Sequence, residues 1–142
     1  MNDLHNDIRC KTVIIPVAIG ANATKTGLVV DRQGFGGVEF VIPYGSVTTT
    51  GTAVAVVVKE GDVTGTLTSV ADADLLGTEA LAGLAAGARV AGTGKEVVKR
   101  VGYTGLKRYV SLDAISTGTT SVGTIAAVAV LHTACNEPTA NP

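Results

Sequence analysis

Apolar residues along this chain recur at every second position or run together for a few positions only, and clusters of Gly, Thr, Asn and Ser separate the runs. That pattern predicts short β-strands. Strands are expected near 12–19 (TVIIPVAI), 26–31 (TGLVVD), 37–44 (GVEFVIPY), 52–59 (TAVAVVVK), 95–103, 108–115 and 122–132, with ANATKTG and VTTTG as connecting loops. In the third run Val38, Phe40, Ile42 and Tyr44 fall on one face and Glu39 and Pro43 on the other, as in a half-solvated strand. Pro43 ends that strand or places it at an edge. The last run, VGTIAAVAVLH, is small or β-branched on both faces. That suits a strand central to a sheet or buried between subunits.

Residues 69–92 break the rhythm. Ser69 with Asp72 can cap a helical turn and the Leu and Ala residues favour helix, but Gly77, Gly83 and Gly87 each cost about 1 kcal/mol inside one. Short helical turns near 69–86 are expected instead of a long helix. Seven or eight strands with so little helix between them predict an all-β fold, an antiparallel sandwich or barrel. The expected organisation is a flexible N-terminal arm over 1–11, a single β domain over 12–133 and a flexible tail over 134–142.

The stretch KRVGYTGLKRYVSL, residues 99 to 112, concentrates basic and aromatic residues. With TGLK as the connection it predicts a hairpin in which Val101 faces Val110 and Gly102 faces Tyr109. Val101, Tyr103, Val110 and Leu112 would form its inward core. The basic residues then divide between two faces and the turn, so they make no single phosphate-binding stripe.

Composition narrows the function. Aromatics are only 4% of the chain and Trp is absent, so the core must come from Val, Ala, Ile and Leu. Eleven basic against twelve acidic residues leave a formal charge of −1, with no domain-wide field for nucleic acid. The opening MNDLHNDIRCK does not have the basic start and apolar run of a secretory signal. The longest apolar runs fall far short of the roughly 20 residues of a membrane-spanning helix. Synthesis in the cytoplasm, without a membrane partner, is the expectation.

Candidate chemistry is sparse. AGTGKE (91–96) has Arg89 where a phosphate-binding loop needs its first Gly and Glu96 where it needs Ser or Thr. QGFGG (33–37) has no βαβ unit around it. Glu60, Asp62, Asp72 and Asp74 are carboxylates two apart on loops, without the spacing of a calcium loop. His5, Cys10, His132 and Cys135 would make a His₂Cys₂ set if the ends met, but the spacings match no standard zinc motif. A Cys135–His132 nucleophilic pair lacks an orienting group. Cys10 and Cys135 therefore read either as ordinary thiols or as a disulfide, within the chain or between subunits, that closes outside the reducing cytoplasm. No catalytic residue, metal or cofactor is expected.

VVDRQGFGGVEFVI (29–42), VADADLLGTE (70–79), VGYTGLKRYVSL (101–112) and AAVAVLH (126–132) together resemble blocks in small structural proteins of tailed bacteriophages and prophages, among them capsid decoration or cement proteins. The ends depart from that pattern, with TACNEP in place of a more basic, Pro-containing tail. The resemblance implies a non-enzymatic virion protein on the outer capsid surface. It would act as a homo-oligomer, trimer or dimer, that bridges major capsid protein subunits through many moderate contacts. The alternatives it leaves are a head-tail connector or tail protein, and a carbohydrate-binding sandwich, for which Tyr44, Tyr103 and Tyr109 are a thin aromatic supply.

Overall fold

The computed structural model describes residues 3–20, 22–45, 53–85, 97–118 and 123–135. Among them ten strands form: β1 (Arg9–Ile19), β2 (Thr24–Lys25), β3 (Val30–Asp31), β4 (Phe35–Pro43), β5 (Ala53–Gly61), β6 (Thr68–Ser69), β7 (Leu75–Leu76), β8 (Val98–Tyr103), β9 (Tyr109–Thr117) and β10 (Gly123–Ala134). Six of the seven expected strands are present; of the run expected over 26–31 only Val30–Asp31 is strand, and β2, β6 and β7 are further two-residue pieces. Helix is confined to α1 (Leu4–Asp7), a 3-10 turn at Asp72–Asp74 and α2 (Glu79–Ala82).

The strands pair antiparallel in two sheets, β1-β10-β4-β8-β7 and β2-β9-β5-β6, with β3 also on β9. Among the described residues no ladder joins the sheets, so the fold is a sandwich and not a closed barrel. The core is the layer of alternate residues between them: Val38, Phe40 and Ile42 of β4, Ala127, Ala129 and Leu131 of β10, Val56 and Val58 of β5, and Val110, Leu112 and Ala114 of β9. Branched and small side chains fill it, as the composition demanded.

β2 and β3 are two halves of one interrupted strand beside β9. Residues between them leave the ladder because other bonds take their backbone: the Gly27 amide donates to the Asp113 carboxylate (3.1 Å), the Ser111 hydroxyl donates to the Gly27 carbonyl (3.0 Å), and the Leu28 amide donates to Val13 on β1 (2.7 Å). A Cβ at Gly27 would stand 2.2 Å from the Leu112 carbonyl oxygen, so only glycine fits this approach.

The predicted hairpin between 95–103 and 108–115 does not form. β8 pairs with β4 and β7 in the first sheet, and β9 pairs with β5, β2 and β3 in the second. Residues 104–108 are a corner between sheets. Val101, Tyr103, Val110 and Leu112 are all fully buried, but they meet across the core instead of across a ladder. Inward-facing residues of equal phase suit two facing sheets as well as one hairpin, and β9 gains a nine-pair ladder on β5. Tyr109 lies opposite Gly61, not Gly102.

Other boundaries move for local reasons. β1 begins at Arg9, so it takes in three residues expected in the arm, and β10 runs to Ala134. Pro43 is the last residue of β4, an interior strand. Ser69 belongs to β6; the side chain that caps a helix is Thr78, which accepts from Leu81 N (3.1 Å) at the start of α2. AGTGKE and VTTTG lie outside the described residues, as do the outer ends of the arm and tail.

Candidate functional site

In the basic, tyrosine-rich stretch 99–112 three of the four cations hold a carboxylate, and Lys99 forms no ion pair with a described residue. Lys107 Nζ meets Asp62 at 2.5 Å, and Arg108 grips Asp31 with two nitrogens, the shorter contact 2.7 Å. Hydrogen bonds from these cations hold both carboxyls below the usual Asp value and raise Lys107 and Arg108 in turn. Arg100 lies 3.7 Å from Glu39. The segment is a charged shoulder on a corner, not a phosphate grip.

Arg32 builds that corner. It is almost wholly buried, and its guanidinium donates to the carbonyls of Lys107 (2.5 Å), Gly105 (2.6 Å) and Phe35 (3.0 Å) while lying 5.4 Å from the Tyr103 ring centre. The Tyr103 hydroxyl donates to Glu60 and accepts from the Lys107 amide at 3.0 Å. Burial, with the Glu60 bond, pushes the Tyr103 pKa well above its ordinary value. Sequence reasoning missed Arg32, because a buried arginine has no periodic signature; only RQGFGG as a turn hinted at its place.

One polar cleft contains residue types used in hydrolysis. Lys59, Ser111 and Asp113 line it with Thr26, Gly27 and Thr64. Lys59 Nζ is held by Asp113 at 2.6 Å, and the Ser111 hydroxyl donates its hydrogen bond to the Gly27 carbonyl. A serine nucleophile needs a base to take its hydroxyl proton, whereas here that hydroxyl is turned to a backbone carbonyl and the trio pins the interrupted strand to β9.

The ends do not assemble a metal site: among the described residues no three His, Cys, Asp or Glu side chains gather. Cys10 and Cys135 are exposed free thiols. Cys10 stands opposite Val130 on β10, five residues before Cys135. At about 3.3 Å per strand residue the two lie roughly 16 Å apart, beyond the ~7 Å a disulfide allows. The intrachain bond is therefore excluded in the folded chain. No helix among the described residues is long and apolar enough to cross a membrane.

The surface that departs most from an ordinary antiparallel sandwich is the outer face of the first sheet. Such a face is normally polar. Here cross-strand register places Thr12, Val128, Val41 and Arg100 in one row, and Cys10, Val130, Glu39, Gly102 and Leu76 in the next. Ala126 stands beside them on β10, and Pro43 pairs with Val98. The valines of β4 and β10 on this face are half-buried, whereas Val98 and Leu76 are exposed. Glu39 folds over Gly102, and the His132 ring over Gly37; a Cβ at either glycine would collide with them. The result is a face on which valine, alanine, proline and leucine outnumber the polar side chains, crossed by the Arg100–Glu39 pair. Its signal in the sequence was the AAVAV run, apolar on both faces.

No protein-family model and no curated protein matches the chain. Among solved structures, it is similar to a chain in the structure of infectious bursal disease virus, Gt strain, at 10% identity and a TM-score of 0.46, over 88% of this chain and 32% of that one. This chain thus spans about a third of that protein's length.

Proposed function

We propose that this protein is a non-enzymatic capsid decoration protein that docks on the major capsid protein and bridges neighbouring subunits. The observation that carries the reading is the largely apolar outer face of β1, β10, β4 and β8, a surface suited to a partner and not to water. The four phage-like sequence blocks support it, as do a Lys–Ser–Asp cleft and a basic corner whose reactive groups are already committed to structural bonds. Its action is binding free energy summed over many copies on an outer shell. As a shell component the chain works as a homo-oligomer, with its thiols free until the particle leaves the reducing cytoplasm.

The test compares virions with and without the protein under heat and osmotic shock, alongside a Val128→Glu variant. Val128 is half-buried on the outer face, so the variant should fold yet fail to join the shell. Loss of DNA retention in the deletion and in Val128→Glu is the expected result. Unchanged retention in the deletion would sink the reading, and a virion density map placing the chain at the portal or tail would assign it to the connector instead.

A further inference from the structure

The two long edges of the sandwich carry opposite charge. At one edge, where β1 lies beside β2 and β3, Arg9 and Lys11 flank a groove of about 540 Å³ walled by Leu28 and Val29, and Lys25 lines the adjoining hollow with Ile15. Ile15 is 63% exposed and Leu28 52%, both large apolar side chains left to solvent. Lys59, Arg100, Lys107 and Arg108 each hold a carboxylate, whereas Arg9, Lys11 and Lys25 form no ion pair with any described residue, nor does the half-buried Lys99 on β8. Of the nearby carboxylates, Asp31 is committed to Arg108, and Asp7 ends α1.

At the other edge, residues 70–76 cross from β6 to β7 and close the gap between the sheets. They present Asp72 and Asp74, neither of which pairs with a described cation, whereas Glu79 on α2 is half-buried and accepts from the Val58 amide at 2.6 Å. Leu76 and Leu81, 58% and 68% exposed, stand among them. Four strand spacings separate the edges by about 19 Å. That exceeds two Debye lengths of roughly 8 Å at physiological salt, so one edge does not neutralise the other within a molecule.

We propose that the edges bind each other between copies: the chain associates head to tail, with the Arg9–Lys11–Lys25 edge of one protomer against the Asp72–Asp74 edge of the next. The exposed Ile15, Leu28, Leu76 and Leu81 supply apolar burial, and the charges set register and direction. Because the two patches differ, the contact is heterologous and builds a ring where the rotation closes. It deepens the oligomer part of the decoration reading, yet it rests on the chain's own charges. It is tested without a capsid, so either can fail alone.

The test is sedimentation velocity of the purified full chain under reducing conditions at low and high salt, with circular dichroism confirming that each variant is folded. Wild-type protein should associate with rising concentration, and less so at high salt. Lys11→Glu with Lys25→Glu, and separately Asp72→Lys with Asp74→Lys, should each weaken association at least about tenfold. The variant carrying all four substitutions has both edges reversed and should recover it. Should that variant not fold, an equimolar mixture of the two double variants takes its place, since reversed edges then meet across unlike chains. A wild type that stays monomeric throughout, association indifferent to salt and to both double variants, or no recovery in the reversed combination would each overturn the proposal.

Discussion

Replacing Arg32 with Met keeps most of the side chain's length and apolar stem while removing every donor. Three backbone carbonyls, on Lys107, Gly105 and Phe35, then lose a charged partner at 2.5 to 3.0 Å. A hydrogen bond to a charged group contributes about 1.5–3 kcal/mol, and an unpaired buried acceptor costs a comparable amount. Taking the lower value for each, and crediting the variant with no longer burying a charge, gives a loss of about 4 kcal/mol. That is a large share of a typical domain's 5–15 kcal/mol. With about 2.1 cal/mol/K of unfolding entropy per residue the melting temperature falls about 13 °C. Urea unfolding followed by circular dichroism measures the loss directly, and the slope against urea should stay unchanged, because the surface exposed on unfolding is the same. Arg32→Lys should fall between the two, since an ammonium reaches one carbonyl and cannot span the fork. A loss below about 1 kcal/mol for Arg32→Met, the size usual at surface sites, would refute the claim that this guanidinium holds the corner between the sheets.

Two further outcomes follow from the same geometry. Tyr103→Phe should cost about 2 kcal/mol at pH 7, because Glu60 and the Lys107 amide lose their shared hydroxyl. Burial raises the Tyr103 pKa, so its contribution is complete below the ordinary tyrosine value near 10 and is lost as pH rises through the higher folded value. Stability measured against pH should therefore fall less steeply above pH 10 in the variant, and equal slopes would contradict the assignment. For Cys10 and Cys135, non-reducing electrophoresis of assembled particles alkylated at lysis should show multimers, since the folded chain cannot join them internally. A faster-running monomer would contradict the register, and a monomer band indifferent to reductant would remove the covalent link.

Much of this was legible in the chain. The period-two alternation of Val38, Phe40, Ile42 and Tyr44 placed all four in the core, because a pleated strand exposes only every other residue to one side. Among the described residues 69–85, the helix is limited to a 3-10 turn and one short helix, in keeping with the cost of glycine at Gly77 and Gly83. The candidate site was half visible: AAVAV announced a strand apolar on both faces, but whether its second face met another layer or stood open depends on what lies across it.

The alternation along the sequence by itself determined strands, their inward faces and an all-β class, since those follow from local backbone geometry. Only the tertiary structure decided which strands pair. Val101 and Tyr103 have the same inward phase as Val110 and Leu112, and phase alone permits either a hairpin or two facing sheets. The choice was made by partners distant in sequence: the nine-pair ladder of β9 on β5, and Arg32 bonding to carbonyls 73 and 75 residues away. The same crossing between sheets sends Arg9, Lys11 and Lys25 to one edge and Asp72 and Asp74 to the other. A nearly neutral composition concealed that separation, because net charge sums over positions and only the fold assigns them a place.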